Sequence, residues 1–138
     1  MSDQQLVQRF RQFLLLLAAF MAAGTILELL LEEHTGEPLQ WLPFILCGVG
    51  LVVIGGLLAR PQQRTIQALR LVMIPVGLGG LLGMVEHLES NLAFAAEIQP
   101  NVPAGEHLLQ ALTGANPLLA PGILTLIAIV ALAATYKW

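Results

Sequence analysis

"LVMIPVGLGGLLGMVEHLESNL", residues 71–92, decides the fold class of this chain because it joins a charge-free apolar run to a polar cluster. The first fifteen residues carry no charge, and the cluster begins directly after them. Its members are Glu86, His87, Glu89, Ser90 and Asn91. A bilayer core of roughly 30 Å needs about 20 helical residues. The stretch therefore predicts a helix that leaves the hydrocarbon of a membrane where the polar cluster begins.

Composition places the whole chain among integral membrane proteins. Its 138 residues are enough for a single domain, residues 1–138, and they are 57% apolar and only 11% charged. A soluble domain carries about 25% charged residues, so this chain has too few to cover a surface that faces water. The first apolar run follows Arg9 and Arg11 as in a signal peptide. Because that run continues to Leu31, we expect an uncleaved first membrane helix.

Four apolar runs are long enough to cross a bilayer. In lipid, the polar groups of the backbone must be paired within the segment. We therefore predict an all-α fold, an integral membrane four-helix bundle with a short extracytoplasmic amphipathic helix between its third and fourth helices. The predicted bundle helices cover about residues 10–33, 40–60, 67–94 and 117–137.

The short amphipathic helix is predicted over residues 103–114, "PAGEHLLQALTG". Pro103 is typical of a helix start and Gly114 of a helix end. At helical spacing, Glu106, His107 and Gln110 share one face, and the other face is apolar. The apolar face consists of Leu108, Leu109 and Leu112. We expect this helix to lie on the membrane surface with its leucines toward the bundle or toward lipid.

The charges divide between the two ends of the predicted helices. All six basic residues fall at one end: Arg9, Arg11, Arg60, Arg64, Arg70 and Lys137. Eight of the nine acidic residues and all three histidines fall at the other end, and Asp3 is the exception. Cytoplasmic loops of membrane proteins carry the excess of Lys and Arg. The pattern predicts a multi-pass protein of the cell membrane with both termini in the cytoplasm.

Small residues mark the helix faces that meet in lipid. Gly80 and Gly83 share a helix face with His87, so that face is expected to contact another helix. Gly24 shares a face with Glu28 in the same way. Glu28 and His87 each stand 17 residues from a basic residue of the cytoplasmic end, Arg11 and Arg70 respectively. The sequence therefore predicts that Glu28 and His87 lie close together on the inner faces of the first and third helices.

These residues form the candidate functional site. We expect an outward-facing polar pocket, closed by the 103–114 helix, that binds or translocates a cation, a metal ion or a small polar ligand. The predicted ligand-binding residues are Glu28, Glu32, His87 and Asn91. A transition-metal ion is a possible cofactor, because imidazole suits zinc, copper, iron and nickel. The predicted metal ligands are His87, His34, Glu28 and His107. The alternative for each residue is a structural role, as a solvated carboxylate or as a hydrogen-bonding link between helices.

Other function classes have little support in the sequence. It has no glycine-rich phosphate loop, no H-E-x-x-H or di-iron E-x-x-H motif, and no basic nucleic-acid patch. We therefore expect neither nucleotide nor nucleic acid as a partner, and an enzyme is less favoured than a binding protein. The lipid bilayer is the expected partner, together with a homo-oligomer or a larger membrane complex. The main alternative function is that of a structural or accessory subunit of such a complex.

One short segment suggests a family. "HLESNLAF", residues 87–94, near the outer end of the third predicted helix, resembles the DoxX-like four-helix membrane proteins when it is combined with the predicted topology. The resemblance implies a membrane bundle of four helices. It covers about a third of the chain and carries over no functional residue.

Overall fold

The computed structural model describes residues 2–138, and the fold of that part of the chain is all-helical. A 3-10 turn, Pro38–Trp41, leads directly into the second helix. The five α-helices of residues 2–138 are α1 (Asp3–Leu31), α2 (Leu42–Ala59), α3 (Gln63–Ile98), α4 (Ala104–Leu112) and α5 (Leu119–Ala134). The predicted all-α class and the predicted order of the helices are confirmed.

Within residues 2–138, three segments are long and apolar enough to cross a membrane: α1, α2 with the preceding turn, and α3. The fourth predicted span is shorter than expected, because α5 has 16 residues. At 1.5 Å per residue it measures about 24 Å, which is less than a bilayer core of roughly 30 Å. By contrast, α3 has 36 residues and extends beyond the predicted 67–94 at both ends.

The four longer helices pack in a closed ring. Helix α1 packs against α2 and α5, and α3 packs against the same two helices from the opposite side. Helix α4 packs against α3. Because α2 and α5 lie between them, α1 and α3 are diagonal and do not pack against each other. The helix pair that was predicted to build the site is therefore separated.

The centre of this ring is apolar and well buried. Its largest fully buried side chains include Leu15 of α1, Ile54 of α2, Met73 of α3 and Ile127 of α5. The outward faces are equally apolar: Phe20 is 76% exposed and Leu119 is 81% exposed. A soluble monomer rarely exposes such large contiguous apolar patches. Apolar side chains thus occupy both the inner and the outer faces of the helices, as in a protein whose helices are surrounded by lipid.

Glycines let α3 and α5 approach closely. A Cβ atom placed on Gly80 would lie 2.7 Å from the backbone N of Thr125 and 2.9 Å from the carbonyl oxygen of Pro121. One placed on Gly83 would lie 2.7 Å from Cβ of Pro121. Thr125 Oγ1 also donates a hydrogen bond of 2.9 Å to the carbonyl of Gly77. The prediction that this glycine face contacts another helix is confirmed, and that helix is α5.

Candidate functional site

The polar cluster of α3 binds the segment that links α4 to α5. His87 Nδ1 lies 3.0 Å from the carbonyl oxygen of Pro117. A carbonyl oxygen can only accept a hydrogen bond, so Nδ1 carries a proton in this contact. His87 thus extends the glycine face of α3, as predicted, and its contact lies at the entrance to α5.

Asn91 is the centre of this contact and is only 4% exposed. Its Nδ2 donates to the carbonyl of Ala111 at 2.9 Å and to the carbonyl of Asn116 at 2.8 Å. Its Oδ1 accepts from the backbone N–H of Asn116 at 3.0 Å. A side chain on Gly114 would displace this amide, because a Cβ there would lie 2.7 Å from Nδ2. Asn91 therefore uses both of its N–H donors to hold the chain between α4 and α5.

Helix α4 is held by the end of α3 through its polar face. His107 Nε2 lies 2.9 Å from the carbonyl oxygen of Gln99, and Gln110 Nε2 donates to Gln99 Oε1 at 2.9 Å. Ala111 is buried beside them. The three leucines, Leu108, Leu109 and Leu112, are exposed. The predicted helix is confirmed. Of the two predicted surroundings of its leucines, the bundle is excluded because the polar face makes that contact, and lipid stays a prediction.

A small pocket lies between α3 and α4. Its volume is about 210 Å³, and its polar lining consists of Asn91, Gln99 and Gln110. Phe94 and Ile98 are among its apolar walls. Gln99 Nε2 donates no hydrogen bond to any residue in the range 2–138. No ionisable side chain lines the pocket within this range, so it suits an uncharged group and differs from the predicted Glu/His pocket.

The predicted pair of Glu28 and His87 does not form. Glu28 and Glu32 are exposed on the last turns of α1 and its C-terminal cap, and α1 does not pack against α3. The face of α3 that carries His87 is covered by α5 and the segment before it. Gly24, which suggested an inner face for Glu28, is exposed and has no neighbouring atom within 4 Å of a Cβ placed there. Glu28 and His87 were predicted to lie at the same depth, but they belong to α1 and α3, which do not pack against each other.

The predicted metal ligands are not brought together. Over residues 2–138, no group of three or more His, Cys, Asp or Glu side chains is placed to hold a metal ion. His87 and His107 each bond a backbone carbonyl, as described above. His34 lies in the turn after α1. Metal binding by His87, His34, Glu28 and His107 stays a prediction that no contact among these residues supports.

A second polar cluster, at the basic end, was not predicted. Arg11 Nη2 donates to the carbonyls of Tyr136 and Lys137 at 3.0 and 2.8 Å. Arg70 donates from Nη2 to the carbonyl of Thr135 at 2.6 Å and from Nε to its Oγ1 at 3.1 Å. The last carbonyls of a helix lack partners within it. These two arginines, from α1 and α3, supply partners where α5 ends.

Comparisons with known proteins found no family model, no curated protein and no solved structure that matches the chain. The resemblance of residues 87–94 to the DoxX-like proteins thus depends on that segment and the topology alone.

Proposed function

We propose that the protein is a multi-pass membrane protein whose α1, α2, α3 and α5 all cross the bilayer, with both termini in the cytoplasm. The six basic residues at one end support this orientation, because cytoplasmic segments carry the excess of Lys and Arg. Helix α5 is short, but turns at residues 135–137 continue it and the two arginines bond their carbonyls. A short span is accommodated by modest local thinning of the bilayer.

Within that membrane we propose a role as a structural or accessory subunit of a larger assembly. The observation that carries this proposal is how the polar side chains are used. Asn91, His87, Arg11 and Arg70 all hold the protein's own backbone. In residues 2–138 no buried side-chain nitrogen or oxygen lacks a hydrogen-bond partner. The surface left for a partner is the apolar outer face of the helices, where interactions with other membrane helices take place.

Purification of the tagged protein from its native membrane in a mild detergent tests this role. We expect a stable membrane partner, or a second copy, to comigrate in native electrophoresis. Gly24→Leu and Gly55→Leu place a large side chain where no atom of the protein lies within 4 Å of Cβ, so they should reduce comigration without unfolding the protein. Ala133→Leu, at an exposed small residue of α5, makes the same kind of change there and shows whether α5 takes part in the contact. Migration as a monomer under all conditions would contradict the proposal.

A second candidate function is binding of a small uncharged polar ligand outside the cell. The pocket between α3 and α4 favours it, because Gln99 Nε2 there lacks a partner among residues 2–138. Its volume of about 210 Å³ is below the roughly 300–1,000 Å³ of most ligand sites. Gln99→Leu should abolish such binding, which equilibrium dialysis against a panel of small amides and polyols would detect. Cation or metal binding at Glu28, Glu32, His87 and Asn91 stays a weaker proposal.

A further inference from the structure

A larger pocket lies at the basic end, on the side of the protein away from the α3–α4 pocket. Its volume is about 490 Å³, within the roughly 300–1,000 Å³ range of ligand sites. The first three turns of α1 form one wall, and the loop before α3 and the C-terminal residue form the rest. Its polar and aromatic lining includes Asp3, Gln4, Gln8, Arg11 and Trp138.

Arg11 is held in this lining by hydrogen bonds to backbone carbonyls and by an aromatic ring. Its Nη2 bonds two carbonyls, and its guanidinium lies 5.0 Å above the centre of the Trp138 ring. Its Nε and Nη1 donate no hydrogen bond to the described residues 2–138. A fixed guanidinium with unused donors is well suited to bind a phosphate oxygen, because little side-chain freedom is lost on binding.

The charge around the pocket favours an anion. Among the described lining residues Asp3 is the one acid and Arg11 the one base, and Arg60 and Lys137 each directly adjoin a lining residue in the chain. Gln4 and Gln8 add uncharged amide donors to the wall. At Arg11 itself the guanidinium attracts an anion and repels a cation.

Exposed apolar side chains near the pocket indicate that the anion belongs to a lipid and is not free in solution. Val7, in the pocket wall, is 47% exposed, and Phe10, in the same turn of α1 as Arg11, is 60% exposed. Acyl chains can cover these side chains while the headgroup occupies the pocket. We infer that this pocket binds the phosphate headgroup of an anionic phospholipid of the cytoplasmic leaflet. The inference rests on the membrane embedding proposed above.

Native mass spectrometry of the full chain in detergent micelles, titrated with phosphatidylglycerol or phosphatidylcholine, tests the inference. Gln8→Glu puts a negative charge in the pocket wall without removing a hydrogen bond between residues in the range 2–138. It should weaken phosphatidylglycerol binding about tenfold. Gln12→Glu makes the same change one turn further along α1, outside the lining, and should alter binding by less than about twofold. Arg11→Gln should weaken binding more than Arg9→Gln.

Equal effects of Gln8→Glu and Gln12→Glu would overturn the inference, as would equal binding of phosphatidylcholine. Binding of free glycerol phosphate as tight as that of the lipid would show a site for a soluble anion and would also overturn it. Thermal unfolding of each variant separates loss of binding from loss of folding. Because the assay needs neither a protein partner nor an intact cell, it reports on the pocket even if the accessory role or the orientation is wrong.

Discussion

Asn91 of α3 and Asn116, three residues before α5, are joined by two reciprocal hydrogen bonds. Asn91 Nδ2 donates to the carbonyl of Asn116 at 2.8 Å, and Asn91 Oδ1 accepts from its backbone N–H at 3.0 Å. The side-chain amide of Asn91 thus bonds the backbone N–H and carbonyl of Asn116, as a neighbouring strand or helix turn would. This contact fixes where α5 begins relative to α3.

Asn91→Leu should therefore destabilise the protein, although it adds an apolar side chain to an apolar surrounding. It leaves the N–H and the carbonyl of Asn116 without their partner. We expect the free energy of unfolding to fall by about 2–4 kcal/mol, measured by denaturant titration in micelles. Asn101→Leu, in the exposed loop before α4, is the matched control with a change below about 0.5 kcal/mol. Equal stability of the two variants would refute this role of Asn91.

Substitutions at His87 separate a structural from a ligand-binding histidine. The amide nitrogen of Asn takes roughly the place of Nδ1, which is the atom that bonds Pro117. His87→Asn should keep that bond and unfold within about 0.5 kcal/mol of the wild type, whereas His87→Leu should lose about 1–2 kcal/mol. Thermal unfolding measures both. If His87 instead binds a cation or metal, Asn and Leu should abolish that binding alike, while their effects on stability are equal.

We expect a Gly→Ala substitution to have opposite effects on stability in α3 and in α1. Gly80→Ala should destabilise the protein by about 1–3 kcal/mol, because its Cβ would overlap the backbone of Thr125. Gly24→Ala has open space around its Cβ and should leave stability unchanged or raise it by up to about 1 kcal/mol. Unfolding monitored by circular dichroism in micelles is the measurement. A stable Gly80→Ala variant would contradict the close packing of α3 on α5.

We expect Arg70 to stabilise the C-terminal end of α5. Arg70→Gln removes the hydrogen bonds to Thr135 and should lower the free energy of unfolding by about 1–2 kcal/mol. The turn at residues 135–137 should then be cleaved faster by an added protease. Arg64→Gln, six residues earlier on α3 and exposed, carries the same loss of charge. Equal protease sensitivity of the two variants would show that the loss of charge alone matters.

Local sequence patterns were enough to predict the helices and the face of α3. The apolar runs gave the segments, and Gly80 and Gly83 gave the face that meets α5. The same reasoning failed at Glu28, since a single glycine on a helix face marks close packing only if a neighbouring helix is there. Gly24 has no such neighbour within 4 Å of its Cβ.

Which helices are neighbours could not be predicted, because it depends on how the whole chain closes into a ring. The placement of α5 between α1 and α3 decides the surroundings of His87. The bonds of Asn91, His107 and Arg11 to backbone groups of other segments have no sequence spacing that reveals them. A side chain that bonds backbone can do so with almost any partner residue, so only the tertiary structure identifies the partner.

The central claim is that four helices cross the membrane with both termini in the cytoplasm, and cysteine labelling of intact cells tests it most directly. In a Cys47→Ala background, single cysteines replace Arg64, Asn101 and Lys137, and an impermeant maleimide is added outside. We expect labelling at position 101 only, with positions 64 and 137 labelled after the cells are opened. Labelling of position 64 from outside would reverse the orientation, and labelling of position 137 from outside would show that α5 does not cross the membrane. Either result would contradict the account.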